Sequence, residues 1–136
     1  MTDAQRVAVA AILDEVAVTV AHHGDCVGAD GEFHDLARAR PGSFIVIHPG
    51  PTTDADHAGK TADERREPMN HMKRNKTIVA ESNFVIATPF EDVEQEFGGT
   101  WKTIGMARKA KRPLAIVMRD GTVTRERWEL LACTPA

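Results

Sequence analysis

Residues 17–30, AVTVAHHGDCVGAD, decide how the chain reads. Ala17 to His22 is short and β-branched and predicts a strand. Gly24-Asp25-Cys26-Val27-Gly28 then breaks regular structure. A helix is expected from about Ala29 to Ala39, with Phe33, Leu36 and Ala37 facing inward and Pro41-Gly42 stopping it. Strand, glycine turn and helix in that order form the unit from which parallel sheets are built.

The unit repeats outward from there. Upstream, Thr2 to about Val16 reads as a helix, because Val9, Ile12, Leu13 and Val16 recur at the spacing of one buried stripe; Thr2 or Asp3 could cap its start. Downstream, Ser43–His48 (SFIVIH) is an apolar run of the kind a strand covered on both faces shows. Pro49–Pro68 reads as a long loop, a length often functional in a small domain. A helix over Asn70–Glu81, a strand over Asn83–Thr88 and a loop through Phe97 follow. Gly98-Gly99-Thr100 opens a helix ending near Lys111, Pro113–Met118 is a strand, Asp120-Gly121 a turn, and Thr124–Ala132 a short terminal helix. The expected fold is α/β: a three-layer, doubly wound, mostly parallel sheet of the Rossmann-like kind.

The chain has 136 residues, enough for one domain over 1–136. A net charge of −3, no tyrosine and few aromatic residues speak against a nucleic-acid surface. No apolar run reaches membrane-span length and no basic-then-apolar leader opens the chain, so the expectation is a cytoplasmic protein without a membrane partner. Cys26 and Cys133 stand far apart in unlike contexts and make no disulfide framework.

Three segments carry the candidate chemistry. In open α/β sheets, ligands bind outside the carboxyl ends of the strands. In Gly24-Asp25-Cys26-Val27-Gly28-Ala29-Asp30 the glycines let the backbone turn and approach a ligand, and the following helix start offers amides and a positive dipole end to phosphate. The plainer reading is that Gly24 and Gly28 only make the turn and Asp30 caps the helix. Gly98-Gly99-Thr100 repeats the physics, with Thr100 read as a cap or as a contact. Arg74 and Asn75 lie in a charged run, Lys73–Lys76, near a helix start; Arg can grip phosphate bidentately. The six histidines match no metal spacing, and neighbours such as His22 and His23 point to opposite faces of a strand. Neither a metal nor a cofactor is expected.

HHGDCVGAD (22–30), KRNK (73–76), NFVIATP (83–89) and FGGTWKTIGMARKAKRP (97–113) together resemble the SLOG superfamily, which includes the Lonely Guy (LOG) enzymes and DprA-type DNA-processing proteins. The resemblance covers roughly His22 to Gly121. It implies a doubly wound sheet, a nucleotide-derived ligand and, since members are often dimers, a homodimer. Two departures matter. Such chains usually begin with another strand and a glycine-bearing loop ahead of a helix like the one at Met1–Gln5, so the expected sheet lacks that first strand. LOG-type phosphoribohydrolases also carry a catalytic Glu after the last glycine turn, whereas here Thr100 is followed by Trp101-Lys102-Thr103. Glu94 and Glu96 precede the turn, while Arg74 sits near the place of a catalytic Arg.

The leading expectation is therefore a binding domain, in the manner of a sensor, for a nucleotide or nucleoside-phosphate small molecule. Its ligand residues would be Gly24, Asp25, Gly28, Ala29, Asp30, Arg74, Asn75, Gly98, Gly99 and Thr100. The alternative is an N-glycoside hydrolase acting on nucleoside 5′-monophosphates, with Glu96 and Arg74 catalytic and Asp30 as a further carboxylate candidate. A third reading, a subunit of a nucleic-acid-processing assembly, is opposed by the acidic balance.

Overall fold

The computed structural model describes residues 1–51 and 57–133. Among them run α1 (Asp3–Glu15), β1 (Val20–His23), α2 (Ala29–Arg38), β2 (Phe44–Ile47), β3 (Glu64–Arg65), α3 (His71–Glu81), β4 (Val85–Ala87), α4 (Gly99–Lys109), β5 (Leu114–Val117), β6 (Val123–Glu126) and a closing 3-10 turn (Trp128–Cys133). The fold is mixed α/β, and from the first helix through the strand after Lys111 the expected helices and strands stand within a few residues of their positions in the sequence.

One expectation fails at the level of the sheet. In place of a single sheet, the described residues form two of three strands each. β1, β2 and β3 are all parallel. β4 and β5 are parallel, and β6 returns antiparallel to β5. Two further corrections are local. The expected 49–68 loop contains β3, a two-residue strand on the edge of β2; its residues 52–56 lie outside the described residues. The expected helix from Thr124 is instead β6 followed by the 3-10 turn. The Asp120-Gly121 turn makes a hairpin, closed by Gly121 N–H on Met118 O at 2.9 Å and Met118 N–H on Thr122 O at 2.9 Å.

Helices cover both faces of β5. On β5, Leu114 and Ile116 pack with Val79, Trp101, Ile104 and Ala107 of α3 and α4. Ala115 and Val117 pack on the other face with Val9, Ile12 and Leu13 of α1. In the other sheet Ala21, Ile45 and Ile47 turn toward Ala37 of α2. α1 packs beside α2, and α3 beside α4.

The start of α1 is fixed to the carboxyl ends of β4 and β5. Thr2 and Gln5 form a reciprocal capping box. The buried Gln5 amide also donates to Pro89 O at 3.1 Å and Val117 O at 3.0 Å.

Candidate functional site

A cleft of about 1050 Å³ opens between the two sheets. Its walls are β1 and β4, with α1 and Phe33 on one side and α3 on the other. Of the residues singled out from sequence, Gly24, Ala29, Asp30, Arg74, Asn75, Gly99 and Thr100 line it. Gly98 lines an adjoining hollow of about 290 Å³ with Gly99, Asn75 and His71. Gly28 and Asp25 line neither. Glu96 is exposed in the loop before α4 and does not line the cleft.

The backbone explains how the mouth is built. α2 is entered through Gly28 (φ 100°, ψ −122°) and α4 through Gly98 (φ 111°, ψ 149°). These are conformations that side chains strongly disfavour. Neither helix start has a side-chain cap, so the first amides of both helices carry no intrahelical or capping partner. The two starts differ in charge. The first turn of α2 contains Asp30 and Glu32, and that of α4 contains no acidic residue.

Asp30 does not cap α2. Its Oδ2 accepts from Gly24 N at 3.2 Å and Cys26 N at 3.1 Å, tying the glycine turn to the helix behind it. Asp25 is buried and organises the next loop, accepting from Gly59 N at 3.2 Å and Lys60 N at 2.9 Å.

Arg74 is buried, with 5% of its surface exposed. Its Nη1 donates to Gly24 O at 3.2 Å and His48 O at 3.3 Å, and its Nε to Asn75 Oδ1 at 2.7 Å. Nη2 reaches His71 Nδ1 at 2.9 Å and Cys26 Sγ at 3.8 Å. The cation thus gathers the backbone at the ends of β1 and β2. A Cβ on Gly24 would stand 2.4 Å from Arg74 Nη1, so any side chain there forces the buried guanidinium to shift.

The Cys26 thiol is pushed up, first by burial and then by the negative charge of Asp30. It is therefore a poor nucleophile.

The histidines separate as strand geometry requires. His23 meets His34 of α2, with Nε2 2.9 Å from Nδ1, while His22 Nδ1 lies 2.9 Å from His48 Nε2. Glu81 joins His22 and His48, with ligand atoms within 4.8 Å of one another. Burial keeps both imidazoles below their ordinary range, His48 at about 4. Two features oppose a metal there. Arg66 holds the Glu81 carboxylate through two bonds, of 3.0 and 2.7 Å. His48 Nδ1 is buried without a partner, whereas a metal-bound imidazole is normally oriented through its second nitrogen.

Sequence reasoning passed over Thr88 and Thr103, which also line the cleft. Their signal was position: Thr88 follows β4, and Thr103 falls one turn after Thr100. His71 was missed too, although its i, i+3 spacing to Arg74 sets both on one helix face.

No described helix is long and apolar enough to cross a membrane. No family model, curated protein or solved structure matches the chain. Fold and cleft therefore define a class only: a mixed α/β protein in which strand ends and helix starts frame one cleft.

Proposed function

We propose that the mouth of this cleft binds a nucleotide or nucleotide-derived phosphate ligand, within a three-layer Rossmann-like arrangement of the kind the SLOG resemblance implies. The observation that carries the reading is the start of α4. Gly98, Gly99 and Thr100 present uncapped amides and no carboxylate, and Gly99 and Thr100 line the cleft. Such a terminus favours an anion through both its dipole and its free N–H groups. Across the mouth, the first turn of α2 carries Asp30. A carboxylate repels phosphate but accepts hydrogen bonds from hydroxyls, so the sugar lies toward Asp30 and the phosphate toward Gly99 and Thr100. Arg74 adds positive charge from behind Gly24.

The hydrolase alternative has less support. It needs a carboxylate facing the sugar and free to activate water. Glu96 lies off the cleft, and one oxygen of Asp30, Oδ2, is committed to the Gly24–Cys26 turn.

Thermal unfolding with AMP, ADP-ribose and adenosine tests the reading. The two phosphate compounds are expected to raise Tm, by the equivalent of about 2.7 kcal/mol at a hundred times Kd, and adenosine to leave it nearly unchanged. Equal stabilisation by adenosine, or none by any of the three, contradicts it.

A further inference from the structure

The connection from β4 to α4 is irregular over 88–98, yet its residues carry the signals of a helix. Thr88 and Glu91 have the spacing of a capping box, in which a hydroxyl residue is followed three positions later by Glu. Pro89 falls at the first helical position, where its fixed φ and missing N–H suit a helix start. Glu91 and Asp92 would complement the positive end of the dipole. Phe90, Val93 and Phe97 recur at i, i+3 and i+7, one face of a helix, and Gly98, with φ 111°, ends the run. Those same three residues are 74%, 67% and 72% exposed. Large apolar side chains gathered on so short a surface segment mark an interaction site.

The same residues explain why the segment is not helical by itself. An isolated helix shorter than about 12–15 residues is marginal in water. Asp92 and Glu96 would meet at i, i+4 with like charge, and Glu94 and Glu96 would stand at the negative end of the dipole. In the irregular loop Glu94 instead pairs with Arg108 at 2.8 Å and Glu91 accepts from Trp101 Nε1 at 3.1 Å. Cations from outside remove both penalties. Placed on a heptad, Phe90, Val93 and Phe97 take positions a, d and a, and Glu94 and Glu96 take e and g, the positions that read the charge of a partner helix.

We propose that 88–98 is a docking segment that folds into a helix against a basic amphipathic helix of a different protein, with Phe90, Val93 and Phe97 in the seam and Glu94 and Glu96 facing Lys or Arg on either side. Ordering of the segment and burial of its apolar face occur in one step. Glu91, Asp92, Glu94 and Glu96 repel nucleic acid and anionic lipid, so charge selects a basic protein surface. The proposal does not depend on ligand binding at the mouth of the cleft.

The test titrates the full chain with a synthetic three-heptad peptide that has Leu at a and d and Lys at e and g; a control peptide has Glu at e and g. Affinity is read by calorimetry and the conformation of 90–97 by NMR Cα shifts. The Lys peptide is expected to bind about tenfold or more tightly than the Glu peptide and to move the Cα shifts of 90–97 to helical values. Val93→Pro, at an exposed position outside every helix and strand, should keep the parent Tm and lose both effects. Glu96→Lys should narrow the preference for the Lys peptide. Any of five results overturns the proposal: no binding; binding while 90–97 stays irregular; equal binding of the two peptides; binding that survives Val93→Pro; or helical shifts without peptide, which mean that the chain covers the segment itself or, where they grow with protein concentration, that a second copy does.

Discussion

Arg74 illustrates how a residue type can be legible while its role is not. The sequence marks it as a cation beside Asn75 near a helix start, which suits both a ligand contact and a solvated surface. The fold buries it, because carbonyls from Gly24 and His48 converge there from two strands distant in sequence. No local pattern encodes that convergence. Truncating Arg74→Ala leaves those buried acceptors unpaired and is expected to cost about 3 kcal/mol of stability. Gly24→Ala drives a Cβ to 2.4 Å from the guanidinium and is expected to cost about 1–3 kcal/mol. Because the two act on one contact, the double variant should be less destabilised than the sum by about 1 kcal/mol or more. Strict additivity in urea unfolding would mean that the guanidinium simply swings aside. The two glycines at the helix entries were legible as turn formers, whereas Asp30, read as a helix cap, instead ties the Gly24–Cys26 turn. What separates the helix starts is the pair Asp30 and Glu32 in one and the absence of acidic residues in the other, and that is written plainly in the sequence.

At the scale of elements, apolar periodicity located α1 to α4 and four of the strands, since burial on one stripe or on both faces leaves its own repeat. β3 escaped because two exposed residues, Glu64 and Arg65, carry no repeat. β6 was read as helix because Val123–Glu126 mixes exposed and half-buried positions. The better signal was Asp120-Gly121 immediately after a strand, a hairpin turn by composition. Gln5 is the element-scale residue that no pattern announces. It is polar, lies on the face of α1 that should be apolar, and is 3% exposed. Its side chain caps α1 and ties that helix to the ends of β4 and β5. Gln5→Ala is expected to lower stability by about 2–3 kcal/mol, well beyond the roughly 1 kcal/mol of a lost cap alone. A loss below 1 kcal/mol in chemical denaturation would show that the tie to the strands contributes nothing.

The whole molecule depends on relations that sequence periodicity does not contain. Which strands adjoin is one: a single sheet was expected, and two stand on either side of a cleft. Titration is another. Burial favours the neutral form of His22, His23, His34 and His48, with His23 and His48 held at about 4. In the unfolded chain histidine titrates near 6.5, so the stability linked to these groups is complete above about 6.5 and is lost as pH falls toward 4. For His48 alone the loss approaches about 3 kcal/mol. Urea midpoints measured from pH 8 to 4.5 should hold steady above 7 and fall steeply below 6.5; a flat profile would mean that these rings are hydrated. On the proposed nucleotide reading, one cleft joins two helix starts with different tasks, phosphate at α4 and sugar at α2. The most direct measurement follows the backbone amides of Ala29, Asp30, Gly99 and Thr100 by NMR during titration with inorganic phosphate and then with AMP. The expected result is that phosphate moves Gly99 and Thr100 alone, while AMP moves all four with a single Kd. Unmoved amides at Gly99 and Thr100 at saturating AMP would contradict the account.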